Sequence, residues 1–194
     1  MKPLCVDLFC GLAGWTEGFL MEGYECVGVD NDPRFAAHYE EIGGHFILAD
    51  VRDLDGRDFR AARCIVASPP CNQFSAMLRI GTDRRPKVYD MSAVKAAFRI
   101  RREAGVPTVI ENVMGARDFF PEPARCHRGS FWLWGDVPLL SPVKVKPKMG
   151  GSFHKGRPSW RFRGWADRDR SKAGASLRAK IPLPLARAVA RGFL

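Results

Sequence analysis

No apolar run in the 194-residue chain approaches the ~20 residues that a bilayer span needs, and the amino terminus lacks a basic stretch leading into an apolar one. A cytoplasmic protein without membrane contact is therefore expected. No C-x-x-C pair occurs among Cys5, Cys10, Cys26, Cys64, Cys71 and Cys126, and most of them lie in or beside apolar runs. That speaks for reduced thiols, against a disulfide framework and against a zinc site, so no metal is expected. Internal repeats are lacking too. Acidic residues are scarce in one region: from Pro142 to Lys180 only Asp167 and Asp169 face twelve Lys and Arg. This segment accounts for the entire formal charge of +10, because the rest balances at 19 basic and 19 acidic residues. A neutral body with one basic segment suggests a polyanionic partner.

The length fits one well-packed domain and is short for two. Leu4-Cys5-Val6-Asp7-Leu8-Phe9 reads as a strand, Cys10-Gly11-Leu12-Ala13-Gly14 as a glycine turn, and the apolar pattern through Phe19 and Leu20 as a helix. Strand, small-residue turn and helix open a nucleotide-binding unit, although such turns are also common as plain structure. A second strand, Glu25 to Val29, ends in Asp30-Asn31-Asp32-Pro33, with Pro33 suited to start a helix running to about Ile42. Asp30 is the candidate for a ribose hydroxyl, while Asp32 suits a helix N-cap better. His45 to Ala49 gives a third strand closed by Asp50-Val51; Asp50 either caps a turn or joins Gly11 and Asp30 at one crevice. His38 and His45 receive no role.

Cys64-Ile65-Val66-Ala67 reads as a strand buried on both faces that stops at Ser68-Pro69-Pro70-Cys71. Two prolines fix φ and remove two donors, so the chain leaves the sheet in a stiff turn that aims a thiol outward. Taken alone, this is equally a turn with a half-buried cysteine. The polar stretch from Ala76 to Tyr89, with Arg79, Arg84 and Arg85, reads as a lid over substrate or as a solvated loop. A helix from about Met91 to Ala104 precedes a fifth strand, Pro107 to Ile110, which ends in Glu111-Asn112-Val113. Ser130 to Trp134, led in by Cys126-His127-Arg128, is a further strand, Val143 to Lys146 a short one, and Leu183 to Phe193 a helix. In the basic segment Phe153, Trp160, Phe162 and Trp165 alternate with Lys and Arg, including Arg161 and Arg163. That composition suits phosphate neutralisation and base stacking better than it suits a bare flexible tail.

Taken together, the motifs resemble those of the cytosine-C5 DNA methyltransferases, in that family's order. Asp7 to Gly14 is similar to its cofactor motif, Pro70-Cys71 with Phe74-Ser75 to its nucleophile motif, Glu111-Asn112-Val113 to its glutamate motif, and Ile181-Pro182 to its C-terminal motif. Asn72 stands where the family usually has glutamine, Ala13 replaces a glycine, the Gly-Asn pair before Ile181 is missing, and Arg128 is the counterpart offered for the Gln-x-Arg-x-Arg motif, with Arg161-Phe162-Arg163 a weaker one. The resemblance implies a Rossmann-like, doubly wound mixed α/β sheet of the S-adenosylmethionine-dependent type. It implies a catalytic core over 1–141, a reduced target-recognition segment over 142–180 and a returning helix over 181–194. S-adenosylmethionine, leaving as S-adenosylhomocysteine, would be held by Asp7, Phe9, Gly11, Leu12, Gly14, Asp30, Asn31, Asp50, Val51 and Pro70. Cys71 and Glu111, with Arg128, would carry the chemistry, and Ser75, Arg79, Arg84, Arg85, Arg161 and Arg163 would meet DNA. The expected enzyme is a bacterial or phage cytosine-C5 methyltransferase, monomeric by default, with short or relaxed sequence preference. The same residues would serve an RNA or free-nucleotide C5 methyltransferase, and a non-catalytic nucleic-acid-binding relative is the remaining alternative. An amino-methyltransferase, which has an aromatic residue after its prolines, is disfavoured by Cys71.

Overall fold

The computed structural model describes residues 1–74, 89–145, 153–154, 157–158 and 180–194. Strands β1 (Leu4–Leu8), β2 (Glu25–Asp30), β3 (His45–Leu48), β4 (Cys64–Ala67), β5 (Thr108–Asn112), β6 (Cys126–Arg128) and β7 (Phe131–Gly135) form one sheet in the order β3-β2-β1-β4-β5-β7-β6. The first five are parallel, and β7 runs antiparallel between β5 and β6. A separate two-residue ladder joins β8 (Phe153–His154) to β9 (Arg157–Pro158).

Alternating strand residues feed two cores. Val6, Leu8, Ile65, Ala67 and Ile110 pack under helix α3 (Ser92–Ala104) through Val94, Ala97, Phe98 and Ile100. The intervening Cys5, Cys64, Val66 and Val109 pack under α1 (Gly14–Met21) and α4 (Leu183–Gly192) through Trp15, Phe19, Leu185, Ala186 and Val189. Helix α2 (Ala36–Glu41) joins the α1 side, because its buried Tyr39 packs with Cys10 and Ala13. Helices on both faces of a parallel sheet bury its central strands twice over, which is why these read as continuous apolar runs. The architecture is the Rossmann-like, doubly wound mixed sheet that the sequence led us to expect.

Local differences have identifiable causes. The helix expected from Pro33 opens as a 3-10 turn, Pro33–Phe35, whose first amides are served by Asp32: its carboxylate accepts from Arg34 N at 3.1 Å. Glu111 and Asn112 lie inside β5 and not beyond it, because β7 extends the ladder by pairing Leu133 with Glu111 and Trp132 with Asn112. Cys126-His127-Arg128 is itself a strand, pairing with β7. The short strand expected at Val143 is corrected: Val143, Lys144 and Val145 are irregular, and Val145 packs against the core under α4. Lys146 lies outside the described residues.

Two glycines let α1 and the returning C-terminal segment touch. A Cβ on Gly18 would stand 2.4 Å from Ala186 Cβ, and one on Gly14 would stand 2.5 Å from Ile181 N. The contact is fastened by Glu22, which accepts from Arg187 Nε at 2.6 Å and Arg191 Nε at 2.8 Å, and by Tyr24, whose hydroxyl donates to Ala190 O at 3.0 Å. Gly18→Ala should lower unfolding free energy by about 1–3 kcal/mol through overpacking, read as a shifted urea midpoint. An unchanged midpoint would mean that the two helices separate at no cost.

Candidate functional site

Phe9 (φ 59), Gly11 (φ 48) and Ala13 (φ 56) all take the left-handed conformation in the turn after β1. For Phe9 and Ala13 that costs roughly 1–2 kcal/mol each. Three bonds hold the turn against this strain: Cys10 N to Val29 O at 3.1 Å, Ala13 N to Cys10 O at 2.8 Å, and Gly11 N to an Asp30 carboxylate oxygen at 3.0 Å. The turn borders a cleft of about 410 Å³ at the carboxyl ends of β1, β2 and β4. Strand order reverses there, between β1 and β4, and open α/β sheets bind their ligands at such a switch point.

Of the residues expected around a cofactor, Phe9, Gly11, Leu12, Gly14, Asp30, Asn31, Asp50, Val51 and Pro70 line this cleft, and Asp7 does not. Asp30 also accepts from Asp32 N at 3.0 Å; burial raises its pKa above the ordinary carboxylate value. Asp50 does both jobs left open for it. It caps the 3-10 turn Val51–Asp53 by accepting from Arg52 N at 2.9 Å, and it forms part of the cleft wall. The Arg52 side chain holds it through Nε at 2.9 Å and Nη2 at 2.5 Å, which keeps its pKa down at about 2. Trp15, Phe35, Arg52, Ser68, Asp90, Ser92 and Lys180 line the cleft as well, and were not among the residues expected there. Trp15 follows the glycine turn at once and could have been found there. Lys180 arrives only through the packing of α4 on α1.

The turn after β4 is held on several sides. Trp15 Nε1 donates to Ser68 Oγ at 2.9 Å, and the fully buried Asn112 donates through Nδ2 to Pro69 O at 2.9 Å. Half-buried Cys71 follows, its carbonyl accepting from Phe74 N at 3.0 Å. Gln73 then clasps the backbone of Asp90, donating to its carbonyl at 2.5 Å and accepting from its amide at 2.8 Å, while Phe74 stacks on Tyr89. Glu111 is 3% exposed near the end of β5, on the same sheet edge as Cys71. Arg128 also ends its strand on this edge, two strands from β5, and donates to the carbonyl of His127 at 3.0 Å. Ser75, Arg79, Arg84, Arg85, Arg161 and Arg163 lie outside the described residues. Among the described residues, no three His, Cys, Asp or Glu cluster tightly enough for a metal ion. No described helix is long and apolar enough to cross a membrane.

Residues 4–87 match the model of the C-5 cytosine-specific DNA methylases. The resemblance read from the motifs is thus borne out over the stretch that carries the cofactor-like turn and Cys71. The chain is also 36% identical over 83 residues to a protein named Type II methylase M.HgiDII from Herpetosiphon aurantiacus; the match spans 39% of this chain and 23% of that methylase. Among solved structures, it is similar to the Dnmt2 methyltransferase of S. pombe at 20% identity and TM-score 0.44, over 60% of this chain and 38% of that one. It is similar as well to a tRNA (uracil-54, C5)-methyltransferase of Pyrococcus abyssi in complex with S-adenosyl-L-homocysteine, at 16% identity and TM-score 0.40, over 61% and 27%. Likeness of that degree says nothing about substrate.

Beneath the floor of the cleft lies a buried polar chain. Asp7, 1% exposed, accepts from Thr16 Oγ1 at 2.8 Å, and the Thr16 hydroxyl in turn meets that of Tyr39. The other Asp7 oxygen is buried without a hydrogen-bond partner among the described residues. Burial raises the Asp7 pKa to about 7, opposed by the Thr16 hydrogen bonds. An unfolded aspartate titrates near ~3.9, so the folded state holds the extra proton between the two values. Stability from this group is therefore fully present below about pH 4 and is lost as pH rises through about 7. Relative to Asp7→Asn, the native chain should lose melting temperature from about pH 5 to about pH 8. Parallel thermal unfolding curves for the two would refute a buried, shifted Asp7.

Proposed function

We propose that this chain is an S-adenosylmethionine-dependent methyltransferase that modifies C5 of cytosine in DNA. The observation that carries the reading is the bond from Asn112 to Pro69, which ties the strand end bearing Glu111 to the turn bearing Cys71, beside the cleft. The cleft suits the methyl donor. Its volume falls in the usual range for ligand pockets, roughly 300–1,000 Å³. Gly14, where a side chain would strike Ile181, lets Lys180 and Ile181 close in as part of its wall. Asp30 and Asp50 offer carboxylate acceptors at one end for ribose and adenine, and Lys180, paired with Glu17 at 2.5 Å, brings a cation to the α1 end for a carboxylate. Asp7 supports the turn from below.

S-adenosylmethionine, when bound, supplies an electrophilic methyl group. Cytosine C5 is too weak a nucleophile to take it unaided, so Cys71, as thiolate, adds to C6 and makes C5 electron-rich. Glu111 donates its proton to, or hydrogen-bonds, N3 of the ring and stabilises the charge that addition drives there. After transfer, loss of the C5 proton and departure of the Cys71 sulfur regenerate the thiolate and the aromatic ring. A base inside a duplex must first be flipped out, and the basic segment would hold the phosphates while that happens. Arg128 is proposed to assist Cys71 and Glu111 at the base, and Ser75, Arg79, Arg84, Arg85, Arg161 and Arg163 to contact the DNA, with few of them reaching base edges.

The test is transfer from labelled S-adenosylmethionine to double-stranded DNA, single-stranded DNA, RNA and dCMP, with analysis of the methylated nucleoside. Cys71→Ser should abolish transfer while binding S-adenosylhomocysteine as the native chain does. Glu111→Gln should slow it by about 10²–10⁴-fold. Label on the N4 amine would overturn the C5 mechanism, label only in RNA or dCMP would reassign the substrate, and no transfer at all would leave a nucleic-acid-binding relative.

A further inference from the structure

On the same sheet edge, outside the residues used above, three flat groups are layered at the surface. Trp132 of β7 pairs with Asn112 across the sheet. The His127 ring, from β6, stacks on it with centroids 4.6 Å apart and planes 14° from parallel. The Arg117 guanidinium carbon stands 4.6 Å from the Trp132 ring centroid. Arg117 belongs to the 3-10 turn Met114–Asp118 that directly follows Glu111-Asn112-Val113, and its Nε donates to Met114 O at 3.2 Å. His127 and Arg117 are exposed and Trp132 is half-buried.

Core packing does not require this arrangement. Side chains that merely close a strand edge need no cation over the ring, and Arg117 has no carboxylate partner among the described residues. Held against Trp132, its fork of donors has already lost much of its freedom, so little more is lost when it grips an oxyanion. Arg128, the residue after His127, ends β6 on the same edge, so against Asp118, the one acid of the Met114–Asp118 turn, the two arginines leave this edge net basic. Neighbouring strands stand ~4.8 Å apart, so β6 is ~10 Å from β5. That is about three nucleotide rises of ~3.4 Å, which directs contacts here to the nucleotides flanking a base held at Glu111.

We propose that the His127–Trp132–Arg117 stack is a docking surface for a polynucleotide strand, Arg117 gripping a backbone phosphate and the outer face of His127 receiving a sugar or base. This rests on the reading that the substrate is a polymer and adds where the strand beside the target lies. The test uses the full chain and a fluorescent duplex containing several cytosines, with affinity measured across a salt series. Arg117→Gln should weaken binding severalfold at low salt, equally on unrelated sequences, and flatten the plot of log affinity against log salt by about one unit, the signature of one lost phosphate contact. Arg117→Lys should keep the native slope, and His127→Ala should weaken binding severalfold without changing it. Circular dichroism and S-adenosylhomocysteine binding report whether each variant is folded. Native slope and affinity in Arg117→Gln, alongside a native chain that binds and methylates DNA, would overturn the docking surface alone. A native chain that binds neither DNA nor RNA at any salt would overturn it together with the function proposed above.

Discussion

A single buried amide joins the two halves of the candidate chemistry. Asn112 has no exposed surface, and each of its polar ends is engaged: Nδ2 with Pro69 O, and Oδ1 with the amide of Val113 at 2.9 Å. Paired prolines carry the chain off β4 without amides of their own, so Pro69 can be held through its carbonyl but not through an N–H. Removing the Asn112 amide would strand a buried acceptor, and that penalty falls on the connection between the Cys71 turn and β5. The bonds from Trp15 to Ser68 and from Gln73 to Asp90 support the same turn from the α1 side and from the entry to α3. Three separate stretches of sequence thus fix one short turn.

The second constraint is the approach of α4 to α1. Apolar burial against Trp15 and Phe19 supplies the drive, and the missing side chains of Gly14 and Gly18 allow the distance. Because the approach is close, Lys180 and Ile181 become part of the cleft wall although they lie more than 160 residues from the turn they face. The cleft therefore depends on chain from both sides of the basic segment. Residues 4–87, which match the C-5 cytosine-specific DNA methylase model, contribute the β1 turn and Cys71, while the last wall comes from beyond that match.

Charge at the cleft is handled in two ways. Asp50 is half-exposed and clamped by Arg52, which holds it ionised, whereas Asp7 and Asp30 are pushed toward their neutral forms by burial. Asp30 recovers part of that loss from two backbone amides, one of them in the strained turn that it helps to hold. Strain in Phe9 and Ala13, a carboxylate braced by the turn's own amides, and a buried Asp7–Thr16–Tyr39 chain below are parts of one support for a turn that open solvent would relax.

Much of this was legible in the chain itself. Apolar runs ending in Asp30, Asp50, Cys71 and Glu111 announced parallel strands whose carboxyl ends meet, because a strand covered on both faces leaves a continuous hydrophobic signature. The turn residues Gly11 and Gly14 and the caps at Asp32 and Asp50 were also readable, since local backbone chemistry decides them. The strand at Cys126, the irregular path at Val143 and the inclusion of Glu111 in β5 were not, for each depends on whether a neighbouring strand offers a ladder. Residue order determined the chemical groups available and the edge on which they gather. Only the tertiary fold decided that Asn112 reaches Pro69, that Lys180 closes the cleft and that Arg117 lies over Trp132, because those contacts join segments whose separation along the chain carries no information about their distance in space.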